Sequence, residues 1–367
     1  MFNDSIPVIA YHQVSVNDKI TPQVFDHQMR WLHENGYESV TLDEFYRYMT
    51  GPAGARPGKK VLITFDDGFA DNYTYAYPIL KKYGFTAVIF LITSRITESD
   101  EVRYNLTDYE NGICGESDIT VTNASRKANI ESVIHGPTAD FLTTAEIKKM
   151  ASDGVIEFES HTHTHAKYFS NDKIVDFFNP NSHWALLCET GGRYDYGIPV
   201  YEMSSGVVKK RYFDDNKMRE HMAGFVTENG GAKFFDSNDY KKKLFSVVKE
   251  FKNSYGRNSR YESDEEFNKR VTDDLMRSKE IIKRVTGRES DYLCWPWGEF
   301  SKDGVAVAKK CGFKGLFSLE RGANAAGGDL DNIKRLEVKA KGLKWFANRL
   351  ATYSSTLRAG FYGMVRR

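Results

Sequence analysis

Four short segments of this chain combine residue types that can do chemistry. The first is Thr64-Phe65-Asp66-Asp67-Gly68, where an apolar run ends in two adjacent carboxylates and a glycine. Two buried acids repel and are costly unless a cation or donors compensate. Adjacent strand residues face opposite ways, so both acids reach one site only if the chain bends, and Gly68 can supply the bend. A metal held by one carboxylate would leave the other free as a base; the other reading is a surface turn after a strand. The second is Ser160-His161-Thr162-His163-Thr164-His165, which places three of the nine histidines within five residues. Two imidazoles and one carboxylate suit zinc or a similar divalent ion and leave a position for water, as catalytic rather than structural sites do. Against this stands a solvated His/Thr turn.

The third segment, Cys294-Trp295-Pro296-Trp297-Gly298-Glu299, brackets a proline with two indoles. Such faces can wall a pocket, stack on a sugar, or simply fill a core. The fourth is Tyr11-His12-Gln13, a lone histidine after an apolar strand, in a position open to core packing or to catalysis.

The elements that must position these residues alternate. Strands are expected at 7–14, 60–65, 86–92, 155–159, 292–295, 315–319 and 334–338. Helices are expected at 21–35, 41–49, 72–83, 143–152, 264–285 and 301–310. Thr21 and Pro22 suit a helix start, Phe25, Met29 and Leu32 share one face, and Thr143 with Glu146 forms a capping-box pattern. Alternation of this kind implies an α/β fold with a parallel sheet or barrel. Two stretches interrupt it, 94–140 and 166–263. Both follow strands, so in a βα barrel they fall on the active face and would shape a substrate site; the alternative is a packed subdomain without a catalytic role.

Composition excludes several classes. With 367 residues, 41% hydrophobic and 28% charged, the chain can build a large core and is not disordered. A net charge of +1 argues against a nucleic-acid binder. Cys114, Cys188, Cys294 and Cys311 form no CxxC pair, so neither a zinc knuckle nor a disulfide framework is signalled. No G-x-S-x-G elbow is present, and the glycines at 54 and 58 are too close for a P-loop. No export signal is read at the start and no apolar run reaches spanning length, so a cytoplasmic protein is expected.

Taken together, the segments resemble the polysaccharide deacetylase family (carbohydrate esterase family 4, NodB homology). Thr64–Gly68 looks like its TFDDG motif and His161-Thr162-x-x-His165 like its H-[ST]-x-x-H motif. The opening Pro7–Val14, with Gly36-Tyr37 and Val40-Thr41-Leu42, is similar to the subgroup of poly-N-acetylglucosamine deacetylases. The likeness covers roughly residues 5–93, 143–166 and 264–340. It implies a distorted (β/α) barrel over 1–340 carrying the two insertions on its active face. It also implies one divalent metal ion, zinc by preference, held by Asp67, His161 and His165, with Asp66 as the catalytic base. His163 falls at a variable position beside the metal shell. Trp295, Pro296 and Trp297 resemble the family's aromatic substrate-binding segment, although the arginine that often precedes it is absent. No histidine follows His221 to serve as a C-terminal acid, and His12 is the replacement the subgroup suggests.

The implied reaction removes an N-acetyl group from an acetamido sugar in a glycan or a lipid-linked saccharide. The rival readings are an inactive carbohydrate-binding protein on the same fold and a metal-dependent amidohydrolase acting on a non-sugar amide. Residues 341–367 are expected to form a basic amphipathic helix. Leu343, Phe346, Leu350, Tyr353, Leu357 and Phe361 recur at helical spacing among Lys341, Lys344, Arg349, Arg358, Arg366 and Arg367. Such a helix either packs on the barrel or lies on an anionic membrane, giving a peripheral contact.

Overall fold

The computed structural model describes residues 3–256 and 258–365. Strands β1 (Val8–Tyr11), β2 (Glu38–Ser39), β3 (Lys60–Asp67), β4 (Ala87–Leu91) and β5 (Ile156–Ser160) lead the chain. The second insertion supplies β6 (Lys167–Phe177), β7 (Pro199–Ser205), β8 (Tyr212–Phe213) and β9 (Arg260–Tyr261). Strands β10 (Tyr292–Cys294), β11 (Gly315–Phe317) and β12 (Leu336–Glu337) then return to the main sheet. That sheet is wholly parallel in the order β11-β10-β5-β4-β3-β1-β12, with β2 also paired to β3. A parallel bridge between Phe317 and Ile333 draws its two ends together into a distorted barrel.

The apolar runs read as strands are buried on both faces, as parallel strands wrapped by helices must be. Ile9, Tyr11, Ile63, Phe65, Ile89 and Leu91 belong to one core with the outer helices, where Phe25, Met29, Leu32, Ile147 and Ile282 meet them. Val8, Leu62, Val88, Phe90, Cys294 and Phe317 fill the barrel interior. This two-residue alternation fixes the orientation of the site: Leu62, Thr64 and Asp66 share the inward parity.

Both insertions leave the carboxyl ends of strands, the first after β4 and the second after β5. The second carries its own apolar cores, one around Phe169, Phe178, Leu186 and Ile198, another around Phe177, Met222, Val226 and Val248.

The tail departs from the single helix expected of it. It forms two helices, Leu343–Tyr353 and Thr356–Val365. Phe346, Leu350 and Tyr353 of the first are buried in the outer core. At the break Ser354 N and Oγ both donate to Leu350 O at 2.8 Å, while the Asp4 carboxylate, from the start of the chain, accepts Thr356 N at 3.0 Å and starts the next helix. Arg366 and Arg367 lie outside the described residues. No helix among the described residues is long and apolar enough to cross a membrane.

Candidate active site

The site lies where β1, β3, β5 and β10 end. Asp66 follows the inward parity of β3 and points into the barrel. Asp67 would face outward on a regular strand, but its φ is 73° and that of Gly68 is 76°, so the chain turns and both carboxylates serve one cavity. Gly68 is required twice over: a Cβ there would meet Leu91 Cδ2 at 2.6 Å, and its φ disfavours any side chain.

The four non-glycine residues with positive φ among the described residues are Asp67, Thr162, His165 and Trp297, and all belong to this site. Such conformations cost about 1–3 kcal/mol each and persist where surrounding contacts enforce them. For Thr162–His165 the enforcing group is Asp274, from the Asp264–Thr286 helix. Its carboxylate accepts His163 N (2.8 Å), Thr164 N (3.2 Å) and Thr164 Oγ1 (2.6 Å). His163 turns away from the cavity, with Nδ1 2.9 Å from Thr93 Oγ1, and ties the loop to the end of β4.

Asp67, His161 and His165 come together, all buried, with ligand atoms within 4.8 Å of one another. His161 Nε2 stands 3.5 Å and His165 Nε2 3.8 Å from Asp67 Oδ1. Ligands on a tetrahedral ion at about 2.1 Å stand roughly 3.4 Å apart. His161 Nδ1 is 2.8 Å from Cys294 O, a contact that fixes its proton there and leaves the Nε2 lone pair facing Asp67. Asp67 Oδ1 and His165 Nδ1 are buried without a hydrogen-bond partner. Burial holds both imidazoles below the usual histidine range, His165 far below it, so both stay neutral and able to ligate. Donor chemistry, spacing and orphaned atoms therefore fit a divalent cation.

A second potential triple, Asp66, His161 and Cys294, is differently engaged. Arg335 clamps Asp66 with two bonds, Nη1 to Oδ1 at 2.7 Å and Nη2 to Oδ2 at 2.8 Å, and Nη2 also lies 2.8 Å from Cys294 Sγ. Burial alone would raise the Asp66 pKa, but Arg335, with His161 and His12, holds it well below the carboxylate range. Burial pushes the Cys294 thiol up, leaving it a neutral neighbour. Arg335 directly precedes the Ile9–Leu336 rung and reaches up inside the barrel, where its Nε also donates to Ser318 O at 3.0 Å. The arginine missing before the Trp-Pro-Trp segment is thus matched by one from another strand. Next to Lys334 and two residues before Glu337, Arg335 carries nothing in the sequence to mark it as buried.

His12 stands at the rim, its Nε2 3.9 Å from Asp66 Oδ2, lining a cleft of about 360 Å³ with Asp18, Lys19, Glu337 and Lys339. The two tryptophans part company. Trp295 is fully buried among Val207, Phe267, Val271 and Leu293, so its expected role in binding substrate is corrected to core packing. Trp297 is partly exposed and faces the Asp67–His161–His165 group, its ring 4.8 Å from that of His165. The second insertion extends this wall: Trp184 lies 5.3 Å and His183 5.8 Å from Trp297. Glu299 fastens the two together, accepting Lys167 Nζ at 2.6 Å and both Ser204 Oγ and Ser205 N at 2.9 Å. Pro296 is buried and helps line a neighbouring cavity of about 400 Å³ with Thr162, Ala166 and Tyr168.

The polysaccharide deacetylase family model matches residues 53–182 and 257–316. Over 331 residues the chain is 24% identical to a poly-beta-1,6-N-acetyl-D-glucosamine N-deacetylase of Escherichia coli K12, covering 89% of this chain and 34% of that protein. A Staphylococcus epidermidis protein of the same name is 29% identical over 176 residues, 47% of this chain and 48% of that one. The matches thus span a third to a half of these relatives' length. Among solved structures, a de-N-acetylase from Aggregatibacter actinomycetemcomitans superposes with a TM-score of 0.59 at 21% identity, covering 94% of this chain and 100% of that one. The BpsB deacetylase domain of Bordetella bronchiseptica gives 0.54 at 18% identity, covering 92% and 96%. These two likenesses speak for the fold.

Proposed function

The chain belongs to the polysaccharide deacetylase family, and from that premise we propose that it hydrolyses the N-acetyl group of an acetamido sugar, releasing acetate and a free amine. The observation that carries this reading is the strained, buried grouping of Asp67, His161 and His165 beside an arginine-clamped Asp66. The glycan we propose is a poly-N-acetylglucosamine, the polymer named for the relatives above.

Asp67, His161 and His165 would hold the divalent ion, zinc in this proposal. When bound, such an ion polarises an amide carbonyl and acidifies water. Asp66 takes the proton from the attacking water; Arg335 keeps it ionised and fixes both its oxygens. Asp66 is a weak base in this setting, which would suit a water acidified by a bound ion. His12, whose Nε2 faces Asp66 from the open rim of the site, delivers the proton that lets the amine leave. Trp297 and His183, backed by the buried Trp184, offer ring faces to a pyranose.

The proposal extends to the tail. Leu357, Phe361 and Met364 are each about 70% exposed on one side of the last helix, with Arg358 beside them, and suit a peripheral contact with an anionic lipid surface. Removing residues 356–367 should then release the protein from anionic liposomes; unchanged partitioning refutes that part.

The central test is acetate release over a panel of N-acetylated glucosamine oligomers and simple amides, with and without a chelator. Chelator-sensitive release from the sugars supports the proposal. Release from simple amides alone, or none from any substrate after zinc loading, refutes it.

A further inference from the structure

His12 has no side-chain anchor among the described residues: its ring makes no hydrogen bond there, and the carboxylate it faces, that of Asp66, is 3.9 Å away. Its side chain is 37% exposed. An imidazole so placed is aimed by its backbone, and that backbone is held on both sides. Asn72 Nδ2 donates to His12 O at 2.9 Å, and Val14 N donates to Asp71 Oδ1 at 3.0 Å. Asn72 Nδ2 also donates to Asp71 Oδ1 at 2.9 Å, joining the two anchors.

The clamp itself is braced by the first insertion. Thr122 Oγ1 donates to Asp71 Oδ2 at 2.8 Å and lies 3.1 Å from the Ser15 hydroxyl. Gln13 Nε2 donates to Asn123 O at 2.8 Å, and Asn17 Nδ2 to Thr122 O at 2.9 Å. Asn123 N is in turn held by Asp140 Oδ1 at 2.7 Å. Gln13, Ser15, Asp71, Asn72 and Thr122 are all buried to within 2% of complete. Asp71 and Asn72 open a π-helical turn, Asn72–Ala76, an uncommon widening that recurs beside functional sites. Burial pushes the Asp71 carboxyl up to about 7 in spite of its donors, so the fold bears a cost to keep it there.

We propose that Asp71 and Asn72, braced by Thr122 of the first insertion, are positioning residues that aim His12 at the leaving nitrogen. The inference rests on the deacetylase reading and gives the 94–140 insertion a task in the proton-transfer step. Positioning matters only where a proton must be delivered. An amine cannot leave an amide without one, whereas a phenolate leaves an aryl acetate unaided.

The test compares Thr122→Val, which removes the hydroxyl at constant shape, with Thr122→Ser, which keeps it. The readout is the ratio of turnover on an N-acetylglucosamine oligomer to turnover on an aryl acetate. We expect the ratio to fall about tenfold or more in Thr122→Val, in the direction of His12→Gln, with KM little changed, and to recover in Thr122→Ser. An unchanged ratio in Thr122→Val, or no recovery in Thr122→Ser, overturns the proposal. A second readout needs no turnover: the ring resonances of His12 by NMR should move in Thr122→Val and return in Thr122→Ser, and superimposable spectra overturn it. A wild-type protein that turns over neither substrate would instead defeat the deacetylase reading, leaving the NMR arm to decide the positioning of His12.

Discussion

Arg335 and Asp66 form a bidentate pair at 2.7 and 2.8 Å, both side chains at most 2% exposed, although they lie 269 residues apart. The geometry is the parallel fork that guanidinium and carboxylate make best. Breaking such a buried pair leaves a charge uncompensated, at about 3–5 kcal/mol. Arg335→Met should therefore unfold at markedly lower temperature, whereas Arg335→Lys should fold but hold only one oxygen. In Arg335→Lys we expect kcat to fall at least tenfold. Because Arg335 depresses the Asp66 pKa, and Asp66 must be ionised to act as a base, the acidic limb of the pH–rate profile should move to higher pH. A limb that stays in place would remove Arg335 from the chemistry.

That pair also marks the limit of what the sequence discloses. Asp66, Asp67, His161 and His165 were legible because short-range pattern carries them: an apolar strand, then dense polar ligands, then a glycine. The barrel was legible for the same reason, since strands buried on both faces leave continuous apolar runs. Arg335 and Asp274 carry no such signal. Arg335 reaches its carboxylate from the far end of the sheet and Asp274 reaches the loop amides from an outer helix, and only the fold brings them near. Trp295 and Trp297 look equivalent in sequence, yet a φ of 65° at Trp297 sends the two rings opposite ways. The break at Ser354 depends on Asp4, from the other end of the chain.

Metal binding should be visible without catalysis. A ligand that binds only the native state stabilises it by about 2.7 kcal/mol at a hundred times its Kd. Zinc or cobalt should raise the Tm of chelator-treated wild-type protein, and Asp67→Asn or His165→Gln should abolish the rise. Activity of the stripped protein should return with the same metal dependence. A Tm response that persists in both variants would place the ion elsewhere.

The aromatic wall makes a separate prediction about affinity. Trp184 comes from the insertion and packs on Trp297 at 5.3 Å. Aromatic pairs of this kind contribute about 0.5–1.5 kcal/mol beyond the area they bury. Trp184→Ala should raise KM on an N-acetylglucosamine oligomer by roughly three- to tenfold, with kcat within twofold of wild type. A loss confined to kcat would show that the wall supports the metal ligands and not the sugar.

Stability should fall as pH rises from about 4.5 to about 8, for a reason remote from catalysis. Glu159, on β5, is 6% exposed; its Oε2 accepts Ser290 Oγ at 2.7 Å and Tyr292 N at 2.9 Å, and no cation pairs with it among the described residues. Burial, with Asp291 and Glu157 nearby, pushes its pKa up to about 8 from an ordinary 4.5. The folded protein thus keeps a proton that the unfolded chain has released between those values. Its contribution to stability is complete below the unfolded pKa and is lost as pH rises through the folded one. Over that window the loss is on the order of a few kcal/mol, at about 1.36 kcal/mol per unit. Glu159→Gln keeps the accepting oxygen and removes the titration. It should match wild type in urea denaturation at pH 4.5 and exceed it progressively up to pH 8.5, and parallel pH dependences in the two proteins would rule this origin out.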